Sequence, residues 1–153
     1  MSKNRISLCN IPRQIPLTWI DFVDRNNASV TEFDQYFASL SEFEQDELFG
    51  RMEGLKERAS FGKLAGKVTE FQDIRLYPEL FELKWRHFSK NRGTALIRQY
   101  HGEPIVFPQV LVALHIHLKN VKVPEDQIKI LQEQEISYAK LRYEAGRKQN
   151  WVL

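Results

Sequence analysis

Leu80-Phe81-Glu82-Leu83-Lys84-Trp85-Arg86 alternates apolar and charged residues without a break, and its reading decides the fold. Successive side chains of a β-strand point to opposite faces, so Phe81, Leu83 and Trp85 share one face while Glu82, Lys84 and Arg86 share the other. Two further runs read the same way. In Thr94-Ala95-Leu96-Ile97-Arg98-Gln99-Tyr100, Ala95 and Ile97 oppose Thr94, Arg98 and Tyr100. In Val110 to Lys119 the alternation predicts an unbroken apolar face of Val110, Val112, Leu114, Ile116 and Leu118, with His115 and His117 looking the other way beside Leu111 and Ala113. If the three runs pair, one face is core and the other gathers Glu82, Lys84, Arg86, Arg98, Tyr100, His115 and His117.

Working outward, residues 1–16 hold Pro12 and Pro16 and no clear period, which predicts an extended N-terminal arm. Leu17 to Asp24 predicts a first strand that pairs with the sheet. Ser29-Val30-Thr31-Glu32 has the form of a capping box, followed by Phe33, Tyr36, Phe37 and Leu40 at helical spacing. A second box, Ser41-Glu42-Phe43-Glu44, leads into Leu48, Phe49, Met52 and Leu55 on one helical face. The two helices meet at Leu40-Ser41 as a tight hairpin whose apolar stripes need a sheet to cover. Residues 59–71 turn back toward the sheet, and Tyr100-His101-Gly102-Glu103-Pro104 reads as a turn. Pro124-Glu125-Asp126 starts a last helix carrying Ile128, Leu131, Tyr138, Leu141 and Ala145 to near Gly146, before a basic tail with Trp151 exposed.

A length of 153 residues suits one domain spanning 1–153, large enough to bury a core without disulfides. The composition, 42% hydrophobic and 27% charged, is that of a soluble globular protein. The longest apolar stretch, around Val110 to Leu118, is far too short to span a membrane, and the first residues lack the pattern of a secretory signal. The single cysteine, Cys9, rules out an internal disulfide and fits a reducing, cytoplasmic setting. Net charge is +2 but uneven. Between Lys84 and Lys122 seven basic residues face one acid, Glu103, and all four histidines lie there too. Such an excess is the usual footprint of a polyanion-binding surface.

The order strand, two helices, three antiparallel strands, helix predicts an α+β domain with its helices on one face of a twisted sheet. From about Trp19 to about Ala145 the chain resembles the RelE/ParE superfamily of bacterial toxins, most closely its HigB and phage-derived host-killing branch. Three stretches carry the resemblance. Ser29 to Met52 is similar to that branch's double-helix segment. Leu80-Phe81-Glu82-Leu83-Lys84 resembles a family strand reading Leu-Tyr-Glu-Leu-Arg. Leu114-His115-Ile116-His117-Leu118-Lys119-Asn120, followed by Pro124, resembles a Leu-His-Gly-Phe-x-Lys-Lys strand leading into a C-terminal helix. The chain differs in having Thr94 where the family often has arginine, Ile116-His117 for Gly-Phe, and Asn120 for the second lysine. Arg98 lies four residues beyond Thr94 with the same parity.

The resemblance implies a RelE-like fold: a twisted antiparallel sheet with the N-terminal helical hairpin packed on one face, and a C-terminal helix. It also implies a type II toxin–antitoxin toxin that cuts messenger RNA on the ribosome as a metal-independent endoribonuclease, or mRNA interferase, and so blocks translation. A small helix-turn-helix antitoxin would hold it inactive, in a toxin–antitoxin hetero-oligomer or beside a homodimer. No cofactor, metal or membrane is expected. In such a reaction a base takes the 2′-hydroxyl proton, cations stabilise the phosphate, and an acid protonates the 5′-oxygen. Lys84, Arg86 and Arg98 are candidates to hold the phosphate. His115 and His117 are candidates for acid or base, or Lys84 for base with its pKa lowered by neighbouring arginines. Glu82 would orient a cation, with Tyr100 on the same face. Lys90, Arg92, Lys119 and Lys122 would steer the protein to RNA. The same histidines also read as half of a zinc site or as structural groups, and Glu82 as one end of a cross-strand ion pair. Two other functions stay open: a non-catalytic binding protein of this fold, and a ParE-like inhibitor of DNA gyrase.

Overall fold

The computed structural model describes residues 5–22, 31–75 and 77–151. In chain order its elements are β1 (Thr18–Asp21), α1 (Glu32–Ala38), α2 (Glu42–Ser60), β2 (Phe71–Asp73), β3 (Leu80–Ser89), β4 (Gly93–Gly102), β5 (Val110–Leu118) and α3 (Glu125–Lys148), preceded by a 3-10 turn over Leu8–Asn10. The three alternating runs form the antiparallel β3–β4–β5 meander at the centre of a five-stranded sheet ordered β1-β5-β4-β3-β2. The chain is therefore α+β. The sheet is mixed rather than wholly antiparallel, because β1 returns from the arm and runs parallel to β5, with Trp19 opposite Leu111.

The helices do not share one face. Against one side lie α1, α2 and the 3-10 turn, burying Leu40, Leu48, Leu55, Phe81, Leu83, Ile97 and Leu111. Against the other lies α3, burying Leu80, Tyr100, Val112, Leu114, Ala139 and Tyr143. The apolar face predicted along β5 is broken in the middle. Tyr100 faces His115, but the next residue, His101, faces Ala113, so Leu114 is an extra residue in β5. A bulge of this kind reverses side-chain parity. Ile116 and Leu118 consequently pack toward α1 and α2, whereas Val110, Val112 and Leu114 pack toward α3.

Local signals at the helix starts act close to where the sequence puts them. Ser41 caps α2 in a full box with Glu44. The cap of α1 is Thr31, boxed with Asp34, so Thr31 takes the role expected of Ser29; Ser29 itself, like residues 23–24 of the expected first strand, lies outside the described residues. The stripe expected on α3 is shifted. Leu141 and Tyr138 are exposed, and the buried positions are Ala139, Tyr143 and Gly146, spaced four and three apart. The Tyr143 ring needs a glycine opposite it in the sheet, since a Cβ on Gly102 would meet that ring at 2.5 Å, and a Cβ on Gly146 would meet the Trp151 ring at 2.2 Å. Trp151 is half-buried, its ring 5.1 Å from that of Tyr143, and is not the exposed aromatic expected of the tail. On α2, Phe49 also faces solvent. The segment expected only to turn contains β2, and β4 runs on through Gly102 where a turn was predicted.

Residues 5–16 are a docked segment, not a loose arm. Ser7 and Cys9 are fully buried, and Leu64 N donates to Cys9 O at 2.9 Å. The arm is anchored by Glu103, whose Oε1 accepts from Leu8 N at 2.8 Å and whose Oε2 accepts from Ser7 Oγ at 2.5 Å. Gly62, at φ +70, ends α2 where a Cβ would stand 1.8 Å from Ile11 O, so only glycine lets the arm pass. No described helix is long and apolar enough to cross a membrane.

Candidate nucleic-acid interface

Strand register arranges the expected face in rows. Glu82, Tyr100 and His115 stand opposite one another across β3, β4 and β5, and Lys84, Arg98 and His117 form the next row. Arg86 pairs with Leu96 in a third, where Lys119 N donates to Leu96 O at 2.8 Å. All seven residues assigned to one face by parity thus share it, but α3 divides the face into a closed end and an open end.

At the closed end α3 lies directly over the first row. Glu135 pairs with His115 Nε2, Arg142 donates to His115 Nδ1 at 3.1 Å and to Leu114 O at 2.7 Å, and the Tyr138 ring sits 5.6 Å from that of His115. Arginine can only donate, so Nδ1 accepts and Nε2 carries the proton directed at Glu135. Burial acts to raise the Glu135 carboxyl, but the His115 hydrogen bond and the charges of His117, His115 and Arg142 hold it below the usual carboxylate range. Tyr100 is fully buried, and its hydroxyl is 2.9 Å from His117 Nε2. His117 Nδ1 lies 3.1 Å from Leu118 O, a carbonyl that only accepts, so Nδ1 bears the proton and Nε2 accepts from Tyr100. Burial is the main force pushing the His117 pKa down, to about 4; Glu135 and the Leu118 carbonyl oppose it, while His115 and Arg98 add to it. Both histidines expected to act as acid or base therefore have every ring nitrogen committed within the fold. Tyr100 likewise has its pKa raised, chiefly by burial.

The open end is cationic. Arg98 Nε lies 3.0 Å from Glu82 Oε1, an ion pair between two largely buried side chains. Burial raises the Glu82 carboxyl against the pull of Arg98, Lys84 and Lys119, so three cations converge on one buried acid. Lys84 Nζ reaches Gln72 Oε1 at 2.5 Å and Val68 O at 3.2 Å. Its pKa is lowered, first by burial and then by Arg98 and Lys119, against Glu82. Arg86 is exposed in the third row. At the same end of the sheet, Lys90 and Arg92 are exposed on the β3–β4 turn, Lys119 is half-buried just past β5, and Lys122 is exposed beyond it. The Lys90 backbone N–H donates to Glu44 at 3.0 Å, which ties this turn to the start of α2.

Two cations belong with this end that strand alternation does not reveal. Because β2 pairs only with Phe81 to Leu83, the outer edge of β3 beyond Leu83 borders a groove of about 570 Å³ whose lining includes Arg51, Arg58, Lys84, Arg86, Trp85 and Glu70. Arg58 pairs with Glu70, leaving an excess of positive charge in the groove. Arg51 and Arg58 are seven residues apart, which places both on one face of α2; that spacing is the signal that finds them. A smaller pocket of about 100 Å³, bordered by His117, Lys119, Asn120, Gln132 and Glu135, opens between the start of α3 and the end of β5.

The open end offers positive charge, guanidinium donors and one lysine of lowered pKa in a concave, partly desolvated setting, which suits a chain of phosphates. No protein-family model, no curated protein and no solved structure matches the chain.

Proposed function

We propose that the protein is a RelE/HigB-like toxin that binds messenger RNA in the ribosome through the cationic end of its sheet and cleaves it without a metal. The observation that carries this reading is the groove of Arg51, Arg58, Lys84 and Arg86 beside Glu70, whose Lys84 stands opposite Arg98 in the sheet. Guanidinium groups hold phosphate oxygens in pairs and keep their charge at any working pH. Lys84 takes the 2′-hydroxyl proton; burial, joined by Arg98 and Lys119, lowers its pKa and so favours the neutral amine. Arg98, Arg86 and Lys119 stabilise the charge on the phosphate, and Glu82 holds Arg98 in place. His115 and His117 serve as supports of α3, so protonation of the leaving 5′-oxygen falls to water. Apolar residues left exposed along α3, Ile130, Tyr138 and Leu141, offer an antitoxin a surface to grip.

The test is to add the purified chain to translating ribosomes and map messenger-RNA ends. Cuts in the ribosomal A site that vanish in Lys84→Met and Arg98→Ala but persist in His115→Asn support the reading; an intact message with wild-type protein refutes cleavage. A second reading, RNA binding without cleavage, is favoured by the internal hydrogen bonds that occupy both histidines. It requires salt-sensitive RNA binding and no cutting.

A further inference from the structure

Outside the cationic end, three ligating side chains meet in the interior. Cys9 Sγ lies 3.6 Å from His101 Nε2, His101 Nε2 lies 3.0 Å from Glu103 Oε2, and Cys9 Sγ lies 3.8 Å from Glu103 Oε2. All three residues have no exposed surface. They come from segments 92 residues apart, the docked arm and the end of β4. We propose that Cys9, His101 and Glu103 form a structural zinc site that fastens the N-terminal arm to the sheet.

Spacing is the first argument. A zinc ion sits about 2.3 Å from a thiolate and about 2.0–2.2 Å from imidazole nitrogen or carboxylate oxygen. A triangle with the three observed sides has its circumcentre about 2.0 Å from each corner, so an ion slightly above that plane meets all three bond lengths. Thiolate, imidazole and carboxylate together suit zinc among the common divalent ions.

Hydrogen bonding is the second. Glu103 Oε2 already accepts from Ser7 Oγ at 2.5 Å and from His101 Nε2 at 3.0 Å, and its Oε1 accepts from Leu8 N. An imidazole nitrogen that donates to Glu103 has no lone pair for a thiol proton, so a protonated Cys9 is left with only a 3.8 Å approach to a crowded oxygen. Zinc removes this conflict. Binding releases the thiol proton to solvent, shifts the imidazole proton from Nε2 to the buried Nδ1, and turns sulfur and Nε2 into ligands.

Charge is the third. The Glu103 carboxylate lies in a cluster with no exposed surface, where a negative charge is costly unless it is balanced. A doubly charged ion with one thiolate and one carboxylate is neutral as a unit. The absence of exposed surface keeps substrate out, so the site is structural and not catalytic. Among the described residues the cluster supplies three ligands, Cys9, His101 and Glu103.

The test uses full-length protein with any purification tag removed, metal content measured by plasma mass spectrometry, and zinc and cobalt salts as probes. About one equivalent of zinc per chain is expected, and protein unfolded with EDTA should refold to a lower melting temperature that added zinc restores. Refolding with cobalt should give a thiolate-to-cobalt absorption band that Cys9→Ser abolishes. Well under one equivalent in the native protein, with refolding indifferent to EDTA and zinc, overturns the site. Zinc that stays bound at the same stoichiometry in both Cys9→Ser and Glu103→Gln also overturns it. The measurements on wild-type protein stand even if a variant fails to fold.

Discussion

Acidification should unfold this protein partly through one residue, His117. In the native state its pKa is about 4, depressed mainly by burial, against the ordinary value of 6.5. A depressed pKa means the unfolded chain binds the proton more readily, so stability is fully present above pH 6.5 and is lost as pH falls toward 4. At 1.36 kcal/mol per pKa unit the shift corresponds to about 3 kcal/mol, a large part of the stability of a domain this size. Urea unfolding of wild type and His117→Gln between pH 7.5 and 4 measures it. Stability in wild type should fall by up to about 1.4 kcal/mol per pH unit within the window, and the variant should lack that component. Taking the difference between the two proteins cancels most other titrations. Among these is Glu82, whose raised pKa works in the opposite direction and stabilises the fold as it protonates. The imidazole itself can be followed by NMR. A His117 titration near 6.5, or parallel pH profiles for wild type and variant, refutes the reasoning that burial, aided by His115 and Arg98, keeps this ring neutral.

Other perturbations test separate parts of the molecule. Arg98→Ala should weaken RNA binding and lower the slope of log affinity against log salt by roughly one, read by fluorescence anisotropy over a salt series. Gly62→Ala forces a left-handed backbone and a clash with Ile11 O, so it should cost several kcal/mol in urea unfolding and expose the arm to limited proteolysis. Leu55→Ala, in the layer between α2 and the sheet, should cost about 2–5 kcal/mol in the same assay. Tyr36→Phe removes the hydroxyl 2.8 Å from buried His87 Nδ1 and should cost about 0.5–1.5 kcal/mol with no effect on RNA binding.

What was legible in the sequence was whatever depended on local alternation. Strands β3 and β4 and the second capping box announce themselves because each pairs a period with a polar signal. The bulge in β5 does not. Val110-Leu111-Val112-Ala113-Leu114 is apolar at every position, so parity carries no information there, and both registers bury apolar side chains. The inward stripe of α3 was hidden for a related reason. Periodicity favours bulky residues such as Leu141, whereas the buried positions are Ala139, Tyr143, whose ring packs on Gly102, and Gly146, whose Cα packs under the Trp151 ring. Docking of the arm rests on Glu103, about 95 residues away in sequence, and no local pattern predicts such a contact.

The same limits separate the two halves of the candidate site. Parity placed Glu82, Lys84, Arg98, Tyr100, His115 and His117 on one face, but accessibility is set by α3, an element whose docking parity cannot foresee. Once Glu135 and Arg142 occupy His115, and Tyr100 and Leu118 occupy His117, any proton transfer through either ring must first break a hydrogen bond under a packed helix. Lys84 is held by hydrogen bonds too, but it is half-buried and not under a packed helix. Its contacts are to a carbonyl and a glutamine side chain, both neutral, and burial, with Arg98 and Lys119, lowers its pKa against the pull of Glu82. On the proposed reading, chemistry at this face would fall to the end of the sheet where cations are concentrated, while His115 is bound to α3 through Glu135 and Arg142 at the other.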